Sequence, residues 1–491
     1  MKKARGRRER NERSAGRARE PERLDVAVIG AGVAGLEAAG ALARAGWRVV
    51  VLEARDRVGG RIDTRAEPDW PVPIDLGAEF VHGRPPILLD RLHAAGVDVV
   101  TLEPAQHRAE GGQLIPATRE WKRALALAAE LPAPETAAAD PTVARQMSRA
   151  DWRRQGSANE RRLAREYLEG FNAADLRRAS VRALLAQQQA AETIEGDVLG
   201  RPRGGYRALA LHLAERLRTA TRRGRGARAT AGGPPPVRLG AIVEKLAWAP
   251  GSVRIEARAA DGVALRSIEA RLAVVTVPLG VLQAPAGAPG AIRFSPALPA
   301  SLRQAIDALA MGAVTKVVIR FNRAPWRGHG SRELGFLHVP DGAFPTLWSL
   351  SEGERPVVVA WAAGPAADRL QGRTPPELRR AALGTVAAAI EIDPRDLEPF
   401  VDGVAVAVWA DDPFARGAYS WVPVGGNRAA TRLALPVADT LIFAGEATEP
   451  GGHAGTVHGA LMTGARGATQ ARAILARRAR RVTDAAENSR P

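Results

Sequence analysis

The sequence predicts an α/β fold that combines a discontinuous Rossmann-like domain with a second, α+β domain. Residues 25–39, DVAVIGAGVAGLEAA, read as a buried β-branched run, a glycine-rich turn and an alanine-rich helix. A second buried run, 47–52, ends in Glu53, and a late run from residue 441 leads into Gly445 and Glu446. Strand, tight turn and helix in this order predict a βαβ unit, and the late run returns to the same sheet.

The composition indicates a folded protein that cannot use cysteine chemistry. The chain has 491 residues, 46% of them hydrophobic, which is enough for more than one domain. It contains no cysteine, so disulfides, thiolate metal ligands and cysteine nucleophiles are excluded, and we predict no metal site. Apolar runs such as 26–29 are far shorter than the roughly 20 residues of a membrane helix, so no membrane span is expected.

The net charge of +17 does not by itself indicate a nucleic-acid partner. Arginine is spread along the chain and aromatic residues are only 4%, which argues against a basic, aromatic binding face. Residues 1–23 are crowded with lysine and arginine, but no apolar signal-peptide core follows them. We therefore expect a disordered basic tail and a cytoplasmic location, without nucleic acid or membrane partners.

The first glycine motif predicts a dinucleotide site. Gly30 permits a tight turn, Gly32 lets the backbone approach a pyrophosphate, and Gly35 lets helix and strand pack closely. The N-terminus of the following helix offers unpaired N–H groups to the phosphates. Glu53, at the end of the second strand, can accept both ribose hydroxyls and would repel the 2′-phosphate of NADP.

The residues after Glu53 carry a family resemblance. The string EARDRVGGR, with Arg55, Gly60 and Arg61, resembles the extended fingerprint of FAD-dependent amine oxidases, which include monoamine oxidases, polyamine oxidases and histone lysine demethylases. Matching motifs continue in family order to residue 473. The resemblance implies the amine oxidase architecture with bound FAD. Because there is no cysteine, the FAD would be held non-covalently.

The resemblance also implies residue roles on the cofactor side. The segment DLGAEFVHG passes close to the flavin ring, Val243 contacts adenine through its backbone, and Glu446 lies on the ribityl or pyrophosphate side. Backbone amides of Thr456 and Val457 would stabilise negative charge on the reduced flavin. The implied cofactor-binding residues are Gly30, Gly32, Gly35, Glu53, Arg55, Gly60, Arg61, Gly77, Ala78, Val243, Gly445, Glu446, Thr456 and Val457.

Five residues are implied on the catalytic side: Lys316, Tyr419, His82, Trp409 and Thr456. Lys316 lies in an apolar strand, where burial is unfavourable without a partner, and the family pattern places it near flavin N5, directly or through a water. A lysine pointing at solvent is the alternative. Tyr419 would form one wall of the substrate cage, Trp409 would lie beside the dimethylbenzene edge, and His82 would face the substrate.

The implied reaction is hydride transfer from an amine to flavin N5. The imine hydrolyses to an aldehyde, and O2 reoxidises the flavin to give hydrogen peroxide. Thr456 replaces the second cage tyrosine of monoamine oxidases, and no tower-like insertion separates the motifs, so free polyamines or monoamines are favoured over chromatin. Glu79 and His82 stand where amino-acid oxidases carry a carboxylate-binding arginine. Glu79, Glu192 and Glu195 could attract a second ammonium.

The motif positions predict how the domains divide the chain. The FAD-binding domain takes residues 24–90, 203–291 and 401–478, and the substrate-binding domain takes 91–202 and 292–400. Basic or polar tails are expected at 1–23 and 479–491, and a loop at 224–236. Two other functions stay open: a flavin-dependent desaturase or oxidase of C–C bonds, on carotenoid or porphyrinogen substrates, and a non-catalytic flavin-carrying protein that binds partners through basic ends. The particular amine, the bond oxidised, the physiological acceptor and the oligomeric state are not predicted.

Overall fold

The glycine-rich turn joins the first strand to a helix and a second, parallel strand. In the computed structural model, which describes residues 20–136, 139–224, 235–351 and 355–487, strand Glu22–Ile29 leads to helix Val33–Arg44 and strand Val49–Leu52. Val26 pairs with Val49 and Ile29 with Leu52. All four residues of the second strand are buried, as expected for an inner strand covered on both faces.

The first large sheet is built around this βαβ unit. Strands Ile268–Val275 and Leu441–Phe443 extend the parallel part beside Glu22–Ile29, and an antiparallel hairpin continues it on the far side. The main strand order is Val237–Arg238, Val49–Leu52, Glu22–Ile29, Ile268–Val275, Ser252–Arg258, Ile242–Ala249 and Arg293–Ser295, with Leu441–Phe443 paired to Ile268–Val275. This sheet is the predicted Rossmann-like layer.

Helices cover both faces of the first sheet. On one face, helices Arg207–Gly224 and Val457–Glu487 pack on helix Val33–Arg44. The crossing is close because Gly464 has no side chain: a Cβ there would lie 2.4 Å from the Ala34 carbonyl oxygen. On the other face, helices Ala300–Asp307 and Ala429–Leu433 close a second apolar core. Burial on both faces explains the uninterrupted apolar character of its central strands.

The second large sheet is mostly antiparallel. Its strand order is Val401–Val408, Val314–Phe321, Val357–Ala363, Thr346–Ser351, Phe336–His338, Gln106–Glu110 and Gln113–Pro116. Strand Val314–Phe321 is buried at every position. Alternate residues Val317, Ile319 and Phe321 pack under helix Pro375–Ala389, while Val318 faces the opposite side. Lys316 therefore shares the face that is turned away from that helix.

A helical insert stands over the second sheet. Its core joins the five helices Thr118–Ala129, Val143–Met147, Ala150–Arg153, Ala158–Phe171 and Val181–Glu192. Short strands of the described chain form three small separate sheets: Thr64–Arg65 with Ile74–Asp75, Val81–His82 and Val99–Thr101 with Leu199–Pro202, and Ala310–Gly312 with Tyr419–Trp421. The remaining helices are Pro86–Ala94, Leu279–Leu282, Pro365–Asp368 and Pro394–Leu397, with 3₁₀ turns at Glu398–Phe400 and Glu446–Thr448.

Sheet membership bears on the predicted domain boundaries. Strand Val401–Val408 lies in the second sheet, although the motif positions predict 401–478 in the FAD domain. Strand Arg293–Ser295 lies in the first sheet, although they predict 292–400 in the substrate domain. We therefore propose to move both boundaries, after residues 408 and 295 respectively. Each strand is placed by its backbone pairing, which crosses long stretches of sequence.

The predicted ends of the fold also differ from the structure. The first strand begins at Glu22, inside the expected tail 1–23, and the last helix continues to Glu487 instead of ending at 478. Residues 1–19 and 488–491 and most of the expected loop 224–236 lie outside the described residues. Within the described chain, none of the helices combines the length and apolar character that crossing a membrane requires.

Candidate active site

Four parallel strands end at the same edge of the first sheet. They are followed by Gly30, Glu53, Thr276 and Gly445. Gly30 and Gly445 have positive φ angles of 106° and 123°, and both backbones approach Thr276: a Cβ on Gly30 would lie 2.9 Å from its Oγ1 and one on Gly445 would lie 3.7 Å from its carbonyl oxygen. The carboxyl edge of parallel strands is where α/β sheets bind ligands.

A glycine-lined surface opens at this edge beside the helix N-terminus. Gly32 bridges to Gly59, and a Cβ on Gly60 would fill the space 3.4 Å from the Gly32 Cα. No side chain caps helix Val33–Arg44, so its first N–H groups and its positive dipole end are directed at this surface. Gly35 lies beneath it: a Cβ there would lie 2.0 Å from the Gly30 carbonyl oxygen.

Glu53 is held at the rim of the same surface. Its Oε2 accepts the N–H of Ala31 at 2.7 Å and its Oε1 accepts the N–H of Arg55 at 3.0 Å. A carboxylate has about four lone-pair positions, so capacity is left for the two hydroxyls of a ribose. The Arg55 guanidinium is engaged by Asp412 at 2.7 Å.

Glu446 binds residues from three other segments at the cavity wall. Its Oε1 accepts from Arg61 Nη1 at 2.8 Å, and its Oε2 accepts from Ser420 Oγ at 2.6 Å and from Gly455 N at 2.9 Å. Arg61 also donates to the Ala418 carbonyl at 2.6 Å. Arg61 and Glu446, which are both predicted on the cofactor side, therefore also form an ion pair with each other.

One cavity of about 1280 Å³ unites these groups. It exceeds the roughly 300–1,000 Å³ of a typical small-ligand pocket, which leaves room for a nucleotide and a second molecule. Of the residues predicted from the sequence, only Gly35 is not in its wall. The wall contains Gly30, Gly32, Glu53, Arg55, Gly60, Arg61, Gly77, Ala78, His82, Val243, Lys316, Trp409, Tyr419, Gly445, Glu446, Thr456 and Val457.

The segment around Gly77 crosses the floor of the cavity at close range. A Cβ on Gly77 would lie 1.8 Å from the Arg61 carbonyl oxygen and 3.2 Å from the Trp409 ring. The Trp409 indole N–H donates to the Leu76 carbonyl at 2.9 Å, which fixes the ring against this segment. Only glycine allows such an approach, so the backbone itself forms the cavity wall here.

Lys316 is buried and bound, which excludes the solvent-facing alternative. It is 3% exposed. Its Nζ donates to Glu79 Oε2 at 2.9 Å and to the carbonyl oxygens of Asp75 at 2.8 Å and Gly77 at 3.2 Å. The sequence did not predict this pairing, because no spacing rule links residues that are 237 positions apart.

An aromatic arm of the cavity leads away from the glycine-lined surface. The Tyr419 hydroxyl donates to the Gly170 carbonyl at 3.3 Å, and burial raises the pKa of this tyrosine. The His82 ring meets Phe171 edge-on at 5.0 Å, and burial lowers the pKa of His82 to about 4. His82 is therefore neutral at pH 7, and the arm is apolar at this point.

Thr456 and Val457 lie where the last helix begins. The Thr456 hydroxyl accepts the N–H of Gly459 at 2.9 Å, as an N-cap side chain does, and donates to the His453 carbonyl at 2.7 Å. The cavity wall therefore includes a second helix N-terminus, which comes from the C-terminal part of the chain. Behind it, His458 Nε2 and His453 Nδ1 lie 3.2 Å apart, and burial lowers the pKa of His458 to about 3.

Glu166 is a cavity residue that the sequence reasoning missed. It lies in helix Ala158–Phe171, lines the cavity, and burial raises the pKa of its carboxyl to about 7. Nothing local distinguishes it from the other acidic residues of that helix. Of the three carboxylates that were proposed, Glu192 and Glu195 are exposed residues of the cavity wall, whereas Glu79 is occupied by Lys316.

Known proteins resemble this chain over most of its length. Residues 33–472 match the model of the flavin-containing amine oxidoreductase family. Polyamine oxidase 3 of Oryza sativa subsp. japonica is 29% identical over 476 residues, which covers 91% of this chain and 88% of that protein. Lysine-specific histone demethylase 1 homolog 1 of the same organism is 34% identical over 219 residues, covering 43% of this chain and 24% of that protein.

Solved structures share the fold. A putrescine oxidase bound to putrescine superposes with a TM-score of 0.71 at 22% identity, covering 92% of this chain and 99% of that one. Cyclohexylamine oxidase from Brevibacterium oxydans IH-35A gives 0.70 at 23% identity, covering 92% and 98%. At this level of identity the likeness concerns the arrangement of the two sheets and the helical insert.

Proposed function

Because the chain belongs to the flavin-containing amine oxidoreductase family, we propose that it is an FAD-dependent oxidase of small amines. The observation that carries the proposal is the continuity of the cavity, which runs from the glycine-lined surface at Gly32 to the aromatic arm at Tyr419. A nucleotide and an amine can thus meet in one continuous cavity. When bound, FAD supplies the hydride acceptor at N5 and passes the electrons to O2, yielding hydrogen peroxide.

The residues at the carboxyl edge fit a dinucleotide without a covalent link. The uncapped N-terminus of helix Val33–Arg44 would receive the pyrophosphate, and Glu53 would accept the hydroxyls of the adenosine ribose. Val243, in strand Ile242–Ala249, would contact adenine through its backbone. The chain has no cysteine that could form a thioether link, so these contacts would hold the flavin non-covalently.

The aromatic arm would prepare the amine. An ammonium cannot release hydride, so the reacting nitrogen must be neutral. Burial beside Tyr419, Phe171 and neutral His82 disfavours the charged amine and lowers its pKa, because these side chains offer no anionic partner. The same walls exclude bulk water during the transfer and orient the α-carbon. The resulting imine then hydrolyses to an aldehyde and a smaller amine or ammonia.

A second cationic nitrogen would be recognised by Glu166. Glu166 lines the same cavity, and its carboxyl is partly ionised near neutral pH. Exposed Glu192 in the cavity wall adds negative charge on a chain that is otherwise strongly basic, whereas Glu195 is paired with Arg84 at 3.1 Å. We therefore propose diamines or polyamines as substrates ahead of monoamines. The similarity to a polyamine oxidase and to a putrescine-bound structure supports this choice.

The proposal is tested by anaerobic mixing of the FAD-loaded protein with putrescine, spermidine, butylamine and an amino acid. We expect the diamine and the polyamine to bleach the flavin absorbance fastest, with butylamine slower and the amino acid inactive. Admission of O2 should then restore the yellow colour and produce hydrogen peroxide. A protein that binds FAD but is bleached by none of the amines would not be an amine oxidase.

A further inference from the structure

The ammonium of Lys316 is fully occupied by one short segment of the chain. A lysine ammonium has three N–H donors, and the three acceptors are the carbonyl oxygens of Asp75 and Gly77 and the carboxylate of Glu79. These acceptors come from residues 75–79, where the chain leaves strand Ile74–Asp75 and bends at Leu76 and Gly77. No donor of Lys316 is left to hold a water. Any effect of Lys316 on a bound flavin must therefore act through its charge and position.

Glu79 is fixed as firmly as the lysine it binds. Its Oε1 accepts the indole N–H of Trp348 at 2.8 Å, and the side chain is 2% exposed. The Lys316 Nζ lies 5.5 Å from the centre of the Trp348 ring. One tryptophan thus contacts both members of the pair, which limits their movement relative to the Gly77 segment.

The charged groups around the pair are balanced. Arg201 approaches Glu79 to 3.6 Å and Asp75 to 3.9 Å, so two carboxylates face two cations. Burial, and then the nearby charge of Glu79, raises the pKa of Asp75 to about 6, so Asp75 is ionised at pH 8. Under that condition, loss of either Glu79 or Lys316 leaves one uncompensated charge in a buried place beside the cavity wall.

We propose that Glu79 is a positioning residue that compensates the charge of Lys316 and thereby sets the electrostatic field at the flavin. This inference rests on the proposed flavin site, and it adds a role that the family resemblance did not assign. Two-electron reduction places negative charge on the flavin, so a nearby uncompensated cation raises the reduction potential and an uncompensated anion lowers it. In the wild-type protein the two charges compensate each other, so the pair neither raises nor lowers the reduction potential.

The test is the flavin midpoint potential of four proteins at pH 8, which requires no amine. Glu79→Gln should raise the potential, Lys316→Met should lower it, and the double variant should return close to the wild-type value. Glu256→Gln is the matched control, since Lys245 and Glu256 form an ion pair of the same 2.9 Å length on the exposed hairpin, and it should leave the potential unchanged. Shifts of the same sign in both single variants, or none, would overturn the proposal.

Thermal unfolding of the FAD-free proteins separates this inference from the proposed function. Each single substitution should lower the melting temperature, and the double variant should recover much of the summed loss, because the two side chains are coupled. Strictly additive losses would show that Glu79 and Lys316 act independently and would refute the pairing. The potentials can be measured even if every amine fails as a substrate, so a failure of substrate assignment leaves this test intact.

Discussion

Arg61 Nη1 lies 2.8 Å from Glu446 Oε1, although 385 residues separate them along the chain. The Glu446 side chain is 5% exposed and that of Arg61 is 23% exposed. The pair joins the loop after the second strand to the turn after the last strand, directly in the wall of the cavity. We therefore expect this pair to link the stability of the fold to retention of the proposed cofactor.

Replacing Glu446 should lower both the free energy of unfolding and the affinity for FAD. Glu446→Gln removes the charge opposite Arg61 and presents an amide N–H₂ to donors that need an acceptor, so we expect a loss of about 3 kcal/mol in unfolding free energy. FAD affinity should fall by roughly tenfold or more, about 1.4 kcal/mol. Glu398→Gln, in a surface pair with Arg379, is the control and should change neither. Equal FAD dissociation constants for both variants would contradict the prediction.

Gly35 and Gly384 should respond oppositely to alanine. Alanine is favoured over glycine in a helix by about 1 kcal/mol. At Gly384, in helix Pro375–Ala389, no atom lies within 4 Å of the new Cβ, so that gain should be realised. At Gly35 the Cβ would lie 2.0 Å from the Gly30 carbonyl oxygen, and overpacking should destabilise by about 1–3 kcal/mol. Urea unfolding of the two variants measures the contrast; a stabilised Gly35→Ala would refute it.

Lys316→Met should slow the reaction of reduced flavin with O2. Loss of the buried ammonium leaves the Glu79 carboxylate uncompensated beside the cavity, which disfavours the negative oxygen species formed in that step, and we expect at least a tenfold decrease, about 1.4 kcal/mol of barrier. Stopped-flow oxidation of the photoreduced protein measures it. Lys245→Met, on the exposed hairpin, is the control. Unchanged oxygen kinetics in Lys316→Met would remove the residue from this role.

Selectivity for diamines should depend on pH through Glu166. The pKa of its carboxyl is raised to about 7 by burial, so it is mainly neutral at pH 6 and mainly ionised at pH 8. The ratio of kcat/KM for putrescine to that for butylamine should therefore increase over this range, since both substrates share the requirement for a neutral reacting amine. In Glu166→Gln the ratio should be lower by about tenfold at pH 8 and independent of pH. A ratio that still rises in the variant would exclude Glu166.

Buried histidines should make the fold sensitive to acid. Burial lowers the pKa values of His82 and His338 to about 4 and that of His458 to about 3. Below the ordinary pKa of about 6.5, the unfolded chain binds protons that the folded chain does not, so stability falls as pH decreases from about 6.5 towards 4. Melting temperatures between pH 7.5 and 5 should show this decline. His338→Gln should flatten it; an unchanged slope would argue against the assignment.

The local motifs were readable because each depends on neighbours in sequence. Gly30, Gly32 and Gly35 follow a buried strand and open a helix, and Glu53 ends the next strand, so backbone sterics and hydrophobic periodicity predict their places at one edge of a sheet. The absence of cysteine excluded a thiol-linked flavin without any structure. The resemblance to the family identified the later motifs along the chain and predicted the fold.

Tertiary structure alone decided which distant side chains meet. Strand Val401–Val408 belongs to the second sheet because its backbone pairs with Val314–Phe321, an assignment that alternating apolar residues cannot specify. Glu79 binds Lys316, and Glu166 lines the cavity, because separate helices and strands pack together there. The local sequence carries no signal for either position. The sequence therefore determined the pieces of the cofactor edge, through short-range sterics and periodicity. The charges that act inside the cavity were set by long-range packing, which decides what each buried ion must pair with.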